Sequence, residues 1–150
     1  MKYFKYVVLA AAALALGACS HKAGDAEATA PAEHSNALAG EWKIDDVVVN
    51  DSLRVTREDI ESGVQSVTFG TDSSYVINTN CNTIQGSYTL TGDSLTLEPG
   101  LMTEMACENM RVEELLRVLL PELKTVSMEN DSVTRLNSDR EGYVILKRKA

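Results

Sequence analysis

From Glu41 onward the chain is a succession of short apolar stretches, most of them alternating with polar residues and each closed by turn residues. This rhythm, more than any other feature, restricts it to a mostly β fold. Glu41 to Val49 reads as a strand between Gly40 and the turn Asn50-Asp51-Ser52. Val67 and Phe69 alternate, Gly70 to Ser74 turn the chain, and Tyr75 to Ile77 resume a strand. Ile84 to Leu90 alternates, Gly92-Asp93 supplies a hairpin turn, and Leu95 and Leu97 alternate again. Val126 and Met128 lead to Asn130-Asp131, Val133 and Leu136 follow, and Tyr143 to Leu146 is an apolar run suited to a strand buried on both faces.

One helix interrupts the pattern. Val112, Leu115, Leu116, Leu119 and Leu120 recur at helical spacing, which predicts a helix near 109–120, stopped by Pro121. Glu113 and Arg117 stand four apart in the favourable order. The leucine stripe is better explained as the helix's core face than as a docking site for a partner helix. A shorter helical turn at Arg57 to Glu61 is also consistent with the sequence. The expected fold is therefore mainly β with one helix (α+β): about eight strands in a small antiparallel β-barrel-like domain, the helix between the fifth and sixth. Pattern alone leaves barrel and sandwich open; closure would remove exposed strand edges, and the helix would plug one opening.

The N-terminus carries a different message. Lys2 and Lys5 precede ten apolar residues, Val7 to Leu16, too few to span a bilayer but suited to a signal peptide. Leu16-Gly17-Ala18-Cys19 resembles the lipobox of bacterial lipoproteins, which implies cleavage before a lipidated Cys19 and attachment of the protein to a membrane through that lipid. In lipoprotein sorting an Asp after that cysteine retains the protein at the inner membrane; Ser20 stands there, so the expected location is the cell envelope at the outer membrane. Residues 19–37 contain no large apolar side chain and read as a flexible tether, with an end-to-end distance of roughly 20–25 Å. The folded domain is then 38–150. Removing residues 1–18 leaves 132 of 150 residues and takes away two lysines, moving the formal charge from −8 to −10. That acidity argues against nucleic acid as a partner.

The chain's two histidines, His21 and His34, both lie in the tether, so a His-based triad, Cys-His pair or His-bearing zinc site is excluded from the domain. No phosphate-binding or dinucleotide fingerprint appears, and no cofactor or metal is expected. Asp45-Asp46 and Glu113-Glu114 offer paired carboxylates, but neighbours on a strand point to opposite faces, and both pairs are better read as solvated surface charge. Trp42, the only tryptophan, reads as core in preference to a sugar-stacking platform. With Cys19 lipidated, Cys81 and Cys107 remain, an even pair that suggests a disulfide in an exported chain. Two buried thiols, or a pair left reduced in a cell without oxygen, are the alternatives.

Several of these residues carry a family likeness. Gly40-x-Trp42, Cys81-Asn82, Gly86-x-Tyr88 and Thr103-x-Met105-Ala106-Cys107, followed by the helix, together resemble the META domain, or HslJ-like, family. The sequence departs from that pattern in having Asn78, Thr79 and Asn80 where the family usually has glycines. The resemblance implies a small, mostly antiparallel β-barrel-like fold and a link with envelope stress, and it implies no established reaction. The leading expectation is a non-catalytic envelope lipoprotein that binds an unidentified protein or small molecule. The alternative is an inhibitor of an envelope-active hydrolase; a thiol-redox or hydrolytic enzyme comes last. Finally, Asp51-Ser52-Leu53, Asp93-Ser94-Leu95 and Asp131-Ser132-Val133 each resemble the Asp-Ser-apolar O-glycosylation site of some Gram-negative envelopes, although Asp-Ser is also ordinary turn chemistry.

Overall fold

The computed structural model describes residues 37–150. The expected signal peptide, Cys19 and all but the last residue of the tether lie outside them. The strands are β1 (Gly40–Asn50), β2 (Leu53–Arg54), β3 (Ser66–Phe69), β4 (Ser74–Asn78), β5 (Thr83–Thr91), β6 (Ser94–Met102), β7 (Leu123–Asn130), β8 (Val133–Ser138) and β9 (Tyr143–Arg148). All neighbours pair antiparallel. The order β1-β3-β4-β5-β6-β7-β8-β9 closes on itself because β1 also pairs with β9, giving an eight-stranded barrel with β2 outside the ring on the far end of β1. Closure settles the choice between barrel and sandwich and leaves few strand edges exposed.

Alternation is the reason the ring closes around one core. Trp42 and Ile44 of β1, Val67 and Phe69 of β3, Tyr75 and Ile77 of β4, Tyr88 and Leu90 of β5, Leu136 of β8, and Val144 and Leu146 of β9 all point inward and are buried. Trp42 is core: its indole Nε1 donates to Leu38 O at 2.7 Å, and the Arg148 guanidinium covers its ring at 4.2 Å. Tyr143 to Leu146 is not buried on both faces. Only Val144 and Leu146 face the core, while Tyr143 lies outside beneath the Arg135 guanidinium, 3.8 Å from its ring centre. A barrel strand has one outer face whatever its residues are, and here a cation covers part of the apolar surface.

Helix α1 (Arg57–Glu61) begins at a capping box, in which Thr56 and Asp59 bond reciprocally. Helix α2 (Arg111–Leu119) starts two residues after the expected 109, with Met110 as its N-cap, and ends before the expected 120 because Leu120–Glu122 tightens into a 3-10 turn around Pro121. α2 buries Val112, Leu115, Leu116 and Leu119 at one barrel end; Leu119 packs against Gly142, beside Val48 O. The leucine stripe is thus internal. The chain enters at the other barrel end, where Gly40 pairs with Phe69.

Candidate functional site: a disulfide-tied motif beside an apolar groove

Asn82 organises the region where the motif residues meet. It precedes β5, is 2% exposed, and uses its whole amide. Its Nδ2 donates to Met105 O at 2.9 Å and to Glu113 Oε1 at 3.1 Å. Its Oδ1 accepts from Thr103 Oγ1 and from Met105 N, both at 2.8 Å. The side chain therefore joins three segments: the turn before β5, the loop after β6, and α2. Cys81 and Cys107 form a disulfide across the same two loops, with 6.0 Å between Cα atoms. Met105, Ala106 and Cys107 are exposed, yet their main chain is held at both ends.

Thr79 occupies one of the positions where the family carries glycine. Its Oγ1 accepts from Asn82 N at 2.8 Å and Cys81 N at 3.2 Å, and the turn needs no positive φ at 78–80. A hydroxyl closing the turn replaces the freedom a glycine would supply. Gly86 is required for another reason. A Cβ there would stand 2.1 Å from Glu98 O and 2.6 Å from the Tyr75 ring. Two residues on, Tyr88 stacks edge-to-face on Phe69 at 5.0 Å and donates its hydroxyl to Gly70 O.

Glu113 is not surface charge. It is fully buried, bonded by Asn82, with Thr79 Oγ1 at 3.2 Å from its second oxygen and Arg117 Nε at 3.7 Å. Its partner in sequence, Glu114, is exposed. The signal was available: Glu113 shares helical spacing with Leu116 and Leu120 and so lies on the same inward face. Asp45 and Asp46 are surface charge, as expected, but they do not point to opposite faces. The register shifts between Ile44 and Asp46, so both carboxylates emerge on the outer face, where they pair with Lys147 and Arg54 at 2.9 Å. Among the described residues no three His, Cys, Asp or Glu side chains converge as a metal site.

Beside the motif a groove opens where the barrel seam parts. β6 and β7 share one pair of Cα partners, Ser94 with Thr125. Beyond it β6 runs past the 3-10 turn and the end of α2, and the gap between them is an apolar groove of about 310 Å³. Tyr75, Ile84, Leu97, Leu101, Met102 and Leu120 line it, with Arg117 at its edge. Arg117 rests its Nε on Met102 Sδ at 3.3 Å and lies 3.7–3.8 Å from Glu113 and Glu104, which links the groove wall to the motif. Leu101 on the rim is 76% exposed. Pro99 and the irregular register opposite Ile84 and Gly86 spoil this stretch of β6 for another strand, so the groove offers a visitor side chains in preference to backbone groups.

A closed antiparallel barrel, plugged at one end by a helix whose loop is tied back by a disulfide and an asparagine clamp, defines the class of small β-barrel domains to which this molecule conforms. The META domain model matches residues 35–150, and the chain belongs to that family. An NMR structure of a protein from Burkholderia xenovorans is similar, with a TM-score of 0.61 at 20% identity, covering 80% of this chain and 88% of that one. A crystal structure of a duf4847 family protein from Bacteroides vulgatus ATCC 8482 gives a TM-score of 0.53 at 12% identity, covering 75% of this chain and 94% of that one. These likenesses concern the fold. No curated protein matches the chain.

Proposed function

We propose that the chain is a non-catalytic binding protein of the bacterial cell envelope, exported by residues 1–18 and held at the outer membrane by a lipid on Cys19. Residues 19–37 are its tether and 38–150 its binding domain. One observation carries the non-catalytic reading. The polar groups gathered by the motif, Asn82, Thr79, Thr103 and Glu113, are spent on one another and on main chain, which leaves an apolar groove as the open feature beside them. Such a groove takes an apolar side chain or small ligand from a partner. An environment-sensitive apolar dye should bind the full-length protein, and Leu101→Glu should weaken that binding at least tenfold. A wild type that leaves the dye dark removes the groove from this reading. In cell fractions the protein should require detergent for release, and Cys19→Ser should free it or leave it unprocessed; a processed, detergent-requiring variant would sink the lipoprotein reading.

A second reading, an inhibitor of an envelope hydrolase, rests on the loop from Thr103 to Glu108. It is exposed, Met105 is 58% accessible, and the Asn82 clamp and the disulfide fix its main chain, the preorganised state that a cleft-filling loop needs. Met105→Asp should abolish inhibition of envelope hydrolase activity if this reading holds and leave dye binding unchanged.

A further inference from the structure

The dipeptide Asp-Ser occurs at four turns: Asp51-Ser52, Asp72-Ser73, Asp93-Ser94 and Asp131-Ser132. The fold treats one of them differently. In the turn before β4, the Asp72 carboxylate accepts from Ser74 Oγ at 2.6 Å and from Ser74 N at 3.1 Å, and Ser73 is held at φ 65°. There the carboxylate is consumed and the serine backbone is in the left-handed region. At the other three turns both residues are exposed. Neither the carboxylates of Asp51, Asp93 and Asp131 nor the hydroxyls of Ser52, Ser94 and Ser132 take part in any side-chain bond or ion pair of the fold. The turns are built without them. Asn50 Oδ1 accepts from Ser52 N and Leu53 N, Asn130 Oδ1 accepts from Ser132 N, and Gly92 supplies φ 62° beside Asp93.

Turn formation accounts for the asparagines and the glycine, and it leaves three pairs of unengaged carboxylate and hydroxyl at hairpin turns, each followed by an apolar residue: Leu53 and Val133 start their strands, and Leu95 follows Ser94, the first residue of β6. A hydroxyl that is exposed at a turn and makes no bond within the fold is one that a modifying enzyme reaches without unfolding its substrate. We propose that Ser52, Ser94 and Ser132 are sites of O-linked glycan attachment, with the free aspartate before each as a recognition group and Ser73 excluded. The donor is a lipid-diphosphate-linked glycan. A bond forms between Ser Oγ and the anomeric carbon, the bond from that carbon to the donor phosphate breaks, the lipid diphosphate leaves, and the hydroxyl proton goes to the medium. No oxidant or reductant is needed.

The inference rests on the export reading, because such donors lie in the envelope, and one measurement separates the two. Intact mass of the full-length protein purified from its own host reports both the N-terminus and any added mass. The expected spectrum shows cleavage before Cys19 plus a repeated increment, up to three steps. Ser52→Ala, Ser94→Ala and Ser132→Ala each remove one step, Asp93→Asn removes the Ser94 step, and Ser73→Ala removes none. A chain that keeps residues 1–18 has failed the export reading. A processed chain whose mass equals polypeptide plus lipid, or whose added mass survives the triple serine variant, overturns the glycan sites while export stands.

Discussion

The side-chain amide of Asn82 and the buried carboxylate of Glu113 meet at 3.1 Å across 31 residues of sequence. Together with the bonds of Asn82 to Thr103 and Met105 it makes a turn, a loop and a helix one unit, and the carboxylate is fully buried. Asn82→Ala should therefore cost about 2–4 kcal/mol, since an unmade hydrogen bond at a buried polar group costs about 1–3 kcal/mol and more at a charge. Urea unfolding followed by Trp42 fluorescence would measure it. A cost below about 0.5 kcal/mol, the range of surface substitutions, would mean that the clamp is not closed.

The Cys81–Cys107 bond spans a sequence separation of 26. On the chain-entropy model a loop of that size is worth about 3.5 kcal/mol. Reduction, or the double change to alanine, should lower unfolding stability by about that amount and loosen the exposed loop at Met105. Alkylation of denatured, unreduced protein should label neither thiol; labelling of both would show that the bond does not form.

At the start of α1, Thr56 N donates to Asp59 Oδ2 at 2.8 Å, and this backbone bond is the main cause holding the Asp59 carboxyl below its ordinary value. A folded-state value depressed in this way contributes stability above the unfolded-state value, about 3.9, and loses it as pH falls through the folded one. Thr56→Ala should cost about 1 kcal/mol at neutral pH. The gap between wild type and Asp59→Asn should narrow as pH drops below about 4. An unchanged gap at pH 3 would contradict the capping role.

Gln65 is 1% exposed, and neither atom of its side-chain amide has a hydrogen-bond partner. Gln65→Met keeps the approximate volume and removes an uncompensated polar group, so it should be neutral or raise stability by about 1 kcal/mol. A loss greater than about 1 kcal/mol in thermal or urea unfolding would show that the amide is bonded in solution.

The strands were legible because alternation reflects burial directly: Trp42 with Ile44, and Tyr88 with Leu90, mark the inward face whichever partner they meet. β2 escaped, since Leu53–Arg54 is two residues long and makes no pattern. The outward turn of both Asp45 and Asp46 also escaped, because a bulge is fixed by the partner strand and not by the bulged residues. The burial of Glu113 runs against its charge, although its position beside the leucine stripe indicates it. The groove could not be read at all: Tyr75, Ile84, Leu101 and Leu120 come from separate elements and become neighbours only when the seam between β6 and β7 parts.

The described chain enters the barrel at the end opposite α2. β1 runs from that entry toward the helix-plugged end, and its eleven residues span about 33 Å at strand rise. The plugged end carries the Met105 loop, while the groove opens in the barrel wall where β6 and β7 part. The Met105 loop and the point where the described chain enters therefore stand at opposite poles, so a partner on that loop and anything joined to the chain before Leu38 approach the barrel from opposite directions.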